Sequence, residues 1–272
     1  MVGTPSEKSG KFKEEAEDLN PTETTRYRGI VARMNSLGQD RSEIQYAIKE
    51  LGKDLAHPTS HSTIKAKRLV RYLKGVPRLV INFRYQNNPR GIVAWSDSDF
   101  AGCEKSRKST SGGLVMHGNH LIKSWSVNQS VIALSSGEAE YYALVKSASI
   151  AMGIQSLCVD LGVECEKPIE IKSDASAAIG ICNRIGLGKV RHIEVNQLWL
   201  QEKVTRGKIT ITKVGTLENL ADAMTKAIDS ESIQRHLIGI DAEPRNDRHH
   251  LTPKLEMESE WQEEEEESEE HE

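Results

Sequence analysis

The sequence predicts an α/β fold: a mixed β-sheet with helices on both faces, preceded by a small helical segment. Three observations point there. Apolar residues between positions 23 and 76 recur at helical spacing. Gly118-Asn119 separates two apolar runs, a hairpin signal. Beyond residue 134, segments of strand period alternate with segments of helix period, the pattern by which parallel strands are joined.

Taken in order, residues 1–22 are polar, rich in Lys, Glu, Ser and Pro, and expected to be disordered. Tyr27, Ile30, Val31 and Met34 define one helix, and Ile44, Ala47, Ile48 and Leu51 a second. A third runs over His61–Lys74 and is stopped by Gly75 and Pro77. Its apolar side is read as Ile64, Val70 and Leu73. Lys67, Arg71 and Lys74 line another side, either a nucleic-acid contact or a solvated face. Val80–Arg84, Gly91–Asp97, Gly113–His117 and His120–Trp125 read as strands, and Leu134–Leu161 as a long helix. Ile169 and Ile171 alternate with Glu170 and Lys172, a half-buried strand. Ala175–Ile185 and Glu194–Val204 read as helices closed by Gly186 and Gly207, with Ile209 and Ile211 forming a further strand. Leu217–Ile228 is the last expected helix. The expected organisation is a disordered segment 1–22, a helical segment 23–89, an α/β domain 90–229 and a disordered acidic tail 230–272.

The 272 residues, with 37% hydrophobic content, suit one medium domain with flanks better than two full domains. Formal net charge is −4, yet residues 256–272 hold eleven Glu and no Lys or Arg. The remainder carries 36 basic against 29 acidic residues, a mildly basic body that suits phosphate backbones or is an ordinary solvated surface. Cys103, Cys158, Cys165 and Cys182 form no C-x-x-C pair, so no zinc site is suggested and a reduced intracellular setting fits. No membrane-spanning run and no signal peptide are read, so the protein is expected inside the cell, cytoplasmic or nuclear.

Four carboxylates carry the candidate chemistry. Asp97 and Asp174 each close a short apolar strand, and Glu140 and Asp222 lie early in predicted helices. Acidic groups converging from such places repel one another unless a cation sits between them, and hard oxygen ligands suit magnesium or manganese. Ser135-Ser-Gly-Glu138 fits a capping box, with Glu138 at N3. Glu140 shares the angular position of Leu144 on the apolar face, so Glu140 rather than Glu138 is expected to face the sheet. Asp99 is read as a turn cap. Asp174 could equally cap the helix that follows.

Several stretches together resemble the ribonuclease H domain of copia-type retrotransposon Pol polyproteins. They are Ser96-Asp-Ser-Asp-Phe-Ala-Gly102, Lys108-Ser-Thr-Ser-Gly-Gly113, Ser135-Ser-Gly-Glu-Ala-Glu-Tyr141, Ser173-Asp-Ala-Ser176 and Asn219-Leu-Ala-Asp-Ala-Met-Thr-Lys226, in the family's order. Thr25-Arg-Tyr-Arg-Gly29 and Ala66–Gly75 are similar to the stretch that joins the polymerase to that domain. The resemblance implies a ribonuclease H-like fold and hydrolysis of the RNA strand of RNA–DNA hybrids. It implies two Mg²⁺ ions, with Mn²⁺ as substitute, held by Asp97, Glu140, Asp174 and Asp222. It also implies substrate contacts from Lys105, Arg107, Lys108, Ser109 and Thr110, with His192 of Lys189-Val-Arg-His-Ile193 near the scissile phosphate or capping a helix. The reverse transcriptase of the same polyprotein, and a virus-like particle for an active element, are the implied partner and setting. A non-catalytic, domesticated nucleic-acid-binding module is the alternative from another class.

Overall fold

Helix α1 (Pro21–Leu37) starts where Asn20 can cap and a proline can open the first turn. The Asn20 side chain accepts from the Glu23 amide at 2.9 Å, and Glu23 reaches back to the Asn20 amide. The computed structural model describes residues 2–7, 16–87, 89–103, 105–165, 167–186, 188, 193, 198–247 and 251. Helices α2 (Gln45–Gly52) and α3 (Ser60–Gly75) complete a unit with its own core. Tyr27, Val31 and Met34 meet Ile44, Ile48 and Leu51 there, and the Tyr27 hydroxyl donates to the Leu51 carbonyl at 2.8 Å. The expected apolar side of α3 is corrected. Ala66, Leu69 and Tyr72 are buried, whereas Ile64 and Val70 are 50% and 40% exposed. The inward stripe runs through Ser62, Ala66, Leu69 and Tyr72 at helical spacing, with Leu73 packed at its edge, so register and not size turns Ile64 and Val70 outward.

Strand β1 (Arg78–Ile81) follows α3 directly. The main sheet begins with β2 (Ile92–Asp99), β3 (Thr110–His117) and β4 (His120–Asn128), an antiparallel meander whose last turn is Gly118-Asn119. Helix α4 (Ser136–Asp160) crosses back to β5 (Ile169–Ser173), which lies parallel to β2. Helices α5 (Ser176–Cys182) and α6 (Trp199–Thr205) lead to β6 (Ile209–Lys213), parallel to β5. The order β4-β3-β2-β5-β6 is the five-stranded mixed sheet of a ribonuclease H-like α/β fold. Tyr141, Leu144, Ala148 and Ala151 of α4 pack on Ile92, Ala94, Val115 and Ile171. By length and apolar content α4 would also suit a bilayer span, contrary to the expectation that no run does; here it is the central core helix.

The last expected helix, Leu217–Ile228, is replaced by a 3₁₀ turn at Thr216–Glu218 and a four-residue helix α7 (Asp222–Thr225). Asn219 breaks it: its backbone is extended, its Nδ2 donates to the Ser96 carbonyl at 3.1 Å, and its Oδ1 accepts from the Ala221 amide. The tail expected from residue 230 is also corrected at its start. Ser230–Gly239 forms helix α8, capped by Asp229, and Ala242–Arg245 forms β7, antiparallel to β1. The expected strand at Val80–Arg84 is thus β1, outside the main sheet. Ile233, Leu237 and Ile240 cover Leu114 and Met116, so the second face of the sheet is closed by these elements. A sheet face this apolar would otherwise be left to water.

His236 of α8 fastens the helical unit to this layer. Its Nδ1 lies 3.0 Å from the Leu220 carbonyl and its Nε2 2.7 Å from the Ser42 hydroxyl, in a 3₁₀ turn at Ser42–Ile44. A carbonyl only accepts, so Nδ1 carries the proton and Nε2 accepts from Ser42. The ring is neutral, and burial pushes its pKa down to about 4. The unfolded chain binds the proton near the ordinary histidine value, so folding stability is full above about pH 6.5 and falls as pH drops towards 4. A shift of this size is worth on the order of 3 kcal/mol. Urea unfolding of His236→Gln should therefore lose less stability between pH 6.5 and 4 than the unsubstituted chain does. Parallel stability curves for the two would sink this account.

Candidate metal centre

The carboxylates meet at the C-terminal ends of the neighbouring parallel strands β2 and β5. Asp97 sits in β2 opposite Gly112 of β3, and Asp174 follows directly on β5. Asp174 does not cap α5: Ala175 holds the N-cap position without a side-chain bond, and Ser173 Oγ accepts from the Ala175 amide instead. Glu140 enters from the first turns of α4. Asp97, Glu140 and Asp174 each offer an oxygen, all within 4.8 Å of one another. These three residues could hold a metal ion.

Their electrostatics are those of crowded acids. Asp97 is 5% exposed, and burial first, then the Asp222 charge, raises its pKa to about 7 against the hydrogen bond from Thr225. Thr225 Oγ1 donates to Asp97 Oδ2. Burial, with Asp97 and Asp174 beside it, raises Glu140 to about 9. Its Oε2 is buried with no hydrogen-bond partner. A site of oxygen donors only, with a buried acceptor left over, fits a hard divalent cation.

Asp222 stands apart from the three. It opens α7, and its Oδ2 is 2.9 Å from Lys226 Nζ, one turn along the chain. Its Oδ1 is buried without a partner. Lys226 is held charged: burial pulls its pKa down, but the Asp222 hydrogen bond and the charges of Asp97, Asp222 and Asp174 outweigh that and raise it. Neither Lys226 nor Thr225 was singled out by sequence, although their place three and four residues after Asp222 puts them on its side of a helix.

Glu138 and Glu140 separate as their register requires, with one difference. Ser135 Oγ accepts from the Glu138 amide at 3.2 Å, but Glu138 reaches past the N-cap to the Leu134 amide at 2.8 Å. Its other oxygen accepts from Tyr142 at 3.0 Å, and it is only 2% exposed. Glu138 is therefore a buried brace and not the cheap surface cap that the capping box implied.

The loop between β2 and β3 divides the expected substrate residues. Ser109 and Thr110 are buried: Ser109 Oγ accepts from the Ala101 amide at 3.0 Å, and Thr110 Oγ1 bonds Asp99 at 3.1 Å and Lys49 at 2.6 Å. Asp99 also accepts from the Thr110 amide, so it caps this loop as expected. Lys105 and Arg107 are exposed, with Lys105 3.3 Å from Asp54, and Lys108 is half-buried. His192 and Glu194 lie outside the described residues.

The chain is 33% identical over 214 residues to a retrovirus-related Pol polyprotein from transposon RE1 of Arabidopsis thaliana, covering 78% of this chain. It is 32% identical over 211 residues to that of transposon RE2 from the same plant, and 27% over 203 residues to that of transposon TNT 1-94 of Nicotiana tabacum. The chain is a homologue of copia-type retrotransposon Pol polyproteins. It spans 14% of the length of each Arabidopsis homologue and 15% of the tobacco one. No protein-family model matches it. Among solved structures it is similar to the N-terminal RNase H domain of a Mycobacterium tuberculosis protein, at 15% identity and TM-score 0.35 over 55% of this chain and 95% of that one. It is also similar to a foamy viral protease-reverse transcriptase in complex with dsDNA, at 14% identity and TM-score 0.42 over 76% and 40%. These likenesses are weak; the fold stands on the strand order and register above.

Gly112, within the Ser-Gly-Gly stretch, lets α7 lie against β3. A Cβ there would come within 2.6 Å of Met224 Cβ and Thr225 Cγ2. Gly112→Ala should therefore force α7 off the strand and lower stability by about 1–3 kcal/mol. Gly153, in the middle of α4 with nothing within 4 Å of its would-be Cβ, is the control: Gly153→Ala should stabilise by roughly 0.5–1 kcal/mol. Thermal melts showing both substitutions harmless would remove the close-approach argument.

Proposed function

We propose that the chain is a divalent-metal-dependent ribonuclease H that hydrolyses the RNA strand of RNA–DNA hybrids, leaving a 3′-hydroxyl and a 5′-phosphate. One observation carries the reading: Asp97, Glu140 and Asp174 bring carboxylate oxygens within 4.8 Å of one another, and one oxygen of Glu140 is buried without a hydrogen-bond partner among the described residues. Homology to Pol polyproteins supports the same reading, since such a polyprotein is expected to handle hybrids. Asp97, Glu140 and Asp174 would hold Mg²⁺ or Mn²⁺, and Asp222 would join them as the fourth ligand. Two such ions supply activation of the attacking water and charge stabilisation at the leaving oxygen.

The protein's own groups prepare that site. Thr225 fixes the rotamer of Asp97 through its hydroxyl. Lys226, paired with Asp222 and half-exposed, offers a cation to the phosphate being cut. With Ser109 and Thr110 committed to the loop, Lys105, Arg107 and Lys108 are the side chains left there to neutralise the nucleic-acid backbone. The 2′-hydroxyls of RNA are the features that would exclude duplex DNA. The reverse transcriptase of the polyprotein is the proposed neighbour that delivers the hybrid.

Purified protein should cut a labelled RNA–DNA hybrid with Mg²⁺ or Mn²⁺, stop with EDTA, and leave double-stranded DNA intact. Cleavage that continues in chelator would end the metal-dependent reading.

Glu140→Gln should abolish most cleavage while keeping or raising the melting temperature, because it removes one of the repelling charges. Glu138→Gln should show the opposite: cleavage is retained, but stability falls by about 1–3 kcal/mol because an amide has one acceptor oxygen, while the Leu134 amide and the Tyr142 hydroxyl donate to different oxygens of Glu138. Loss of activity in Glu138→Gln with a normal melt would reverse the assignment.

A further inference from the structure

Helices α1 and α3 leave an open groove of about 580 Å³ between them, its base formed by the edge of the helical unit's core at Tyr27 and Ala66. Its floor is apolar, with Ile30, Ala66 and the outward-facing Val70. Its rim is cationic: Arg26, Lys67, Arg71 and Lys74 line it, and Glu23 is the one acidic residue there. Lys67, Arg71 and Lys74 fall at i, i+4 and i+7 and are exposed. Among the described residues, none of these four cations makes an ion pair, whereas neighbouring Lys65 and Arg68 on the same helix pair with Asp54 and Glu7. An apolar trough with four unanswered positive charges calls for an acidic, partly apolar occupant.

The chain carries one. Residues 256–272 contain eleven Glu, and Leu255, Met257 and Trp261 supply apolar side chains at the start of that run. The topology delivers the segment to the groove. Strand β1 begins three residues after α3 ends, and β7 pairs with it antiparallel, Arg78 opposite Arg245. Arg78 is also 3.3 Å from Asp247. The chain therefore runs out past residue 247 beside the C-terminal end of α3, where Lys74 and Arg71 open the groove. Helix α3 is about 24 Å long. The 25 residues from 248 to 272 reach several times that when extended, roughly 80 Å or more.

We infer that the acidic C-terminal segment docks in the α1–α3 groove of its own chain, its Glu side chains on Arg26, Lys67, Arg71 and Lys74 and its apolar residues on the Val70 floor. The docking does not depend on the nuclease reading. Its consequence is that the segment masks a cationic surface from other polyanions until salt, or a stronger polyanion, displaces it.

The test is zero-length carbodiimide cross-linking of the full chain, with peptide mass spectrometry. At low salt, Glu residues of 256–272 should cross-link to Lys67 and Lys74 within one molecule, with a yield independent of protein concentration. The products should disappear at about 1 M salt, where the screening length is about 3 Å. Arg26→Glu with Arg71→Glu leaves both reporter lysines in place and should abolish the cross-links; the melting temperature of that variant shows that it is folded. Trp261→Ala should reduce the yield. Cross-links only between molecules would assign the groove to a second copy and overturn the proposal. So would cross-links concentrated on Lys123 and Lys146, which line a separate basic cleft of about 800 Å³ between α1, α2, β4 and α4.

Discussion

Like charges held out of water are the constraint on which the rest of this structure turns. Asp97, Glu140 and Asp174 share a space small enough that burial and mutual repulsion lift Asp97 to about 7 and Glu140 to about 9. A chain under selection for stability alone would replace such groups with apolar ones. Keeping them demands a scaffold that does not relax the cluster by drifting apart. Two carboxylates are therefore placed on adjacent parallel strands and the third on a 25-residue helix packed over both. The strand ends fix spacing, and the helix core, Tyr141 with Leu144 and Ala148, fixes the angle at which Glu140 arrives.

The layer on the opposite face answers the same demand. Asp97 meets Glu140 of α4 within the cluster and takes the Thr225 hydroxyl of α7 on Oδ2, so α7 closes that side of the site. Gly112 opens the gap in β3 through which α7 approaches, and Asn219 ties the preceding turn to the Ser96 carbonyl, one residue from Asp97. Helix α8 then covers Leu114 and Met116, and its His236 joins the Leu220 carbonyl to Ser42 of the helical unit. Lys49 of α2 reaches Thr110, which in turn holds Asp99. The helical unit is thus bonded, through Ser42, Lys49 and Asp54, to the elements that carry or flank Asp97.

Periodicity made most of this legible. The meander, the long helix and the two parallel strands follow from apolar alternation and from the Gly118-Asn119 turn, and the capping pattern at Ser135 was enough to separate Glu138 from Glu140. What escaped has physical reasons. Asn219 overrode a helical period by bonding backbone in two directions, and no local propensity contains the Ser96 carbonyl it meets. Helix α8 was visible in Ile233, Leu237 and Ile240 behind an Asp229 cap, but its charged surroundings read as tail. The α3 stripe was misjudged because two of its inward positions, Ser62 and Ala66, are too small or polar to announce a core, so the larger Ile64 and Val70 drew the reading. The buried hydroxyls of Ser109 and Thr110 looked like surface donors, since a polar loop in sequence gives no sign that Asp99 and Ala101 will claim them.

The fourth carboxylate shows how the site divides. Three acids rest on strands and a core helix, elements fixed by many buried side chains. Asp222 rests on a four-residue helix held by Asn219, by Thr225 and by the contact that Gly112 permits. It carries its own cation, Lys226, whose charge is favoured by Asp222, Asp97 and Asp174 together. Helix α7 is short but well packed: Ala223, Met224 and Thr225 are all buried against the sheet. The three crowded acids and the Asp222–Lys226 pair are thus set side by side on separate elements, each held by buried neighbours. Asp222 adds to the repulsion that Asp97 feels, and the lysine one turn along from it offsets part of that repulsion, so the fourth carboxylate arrives with its own counter-charge.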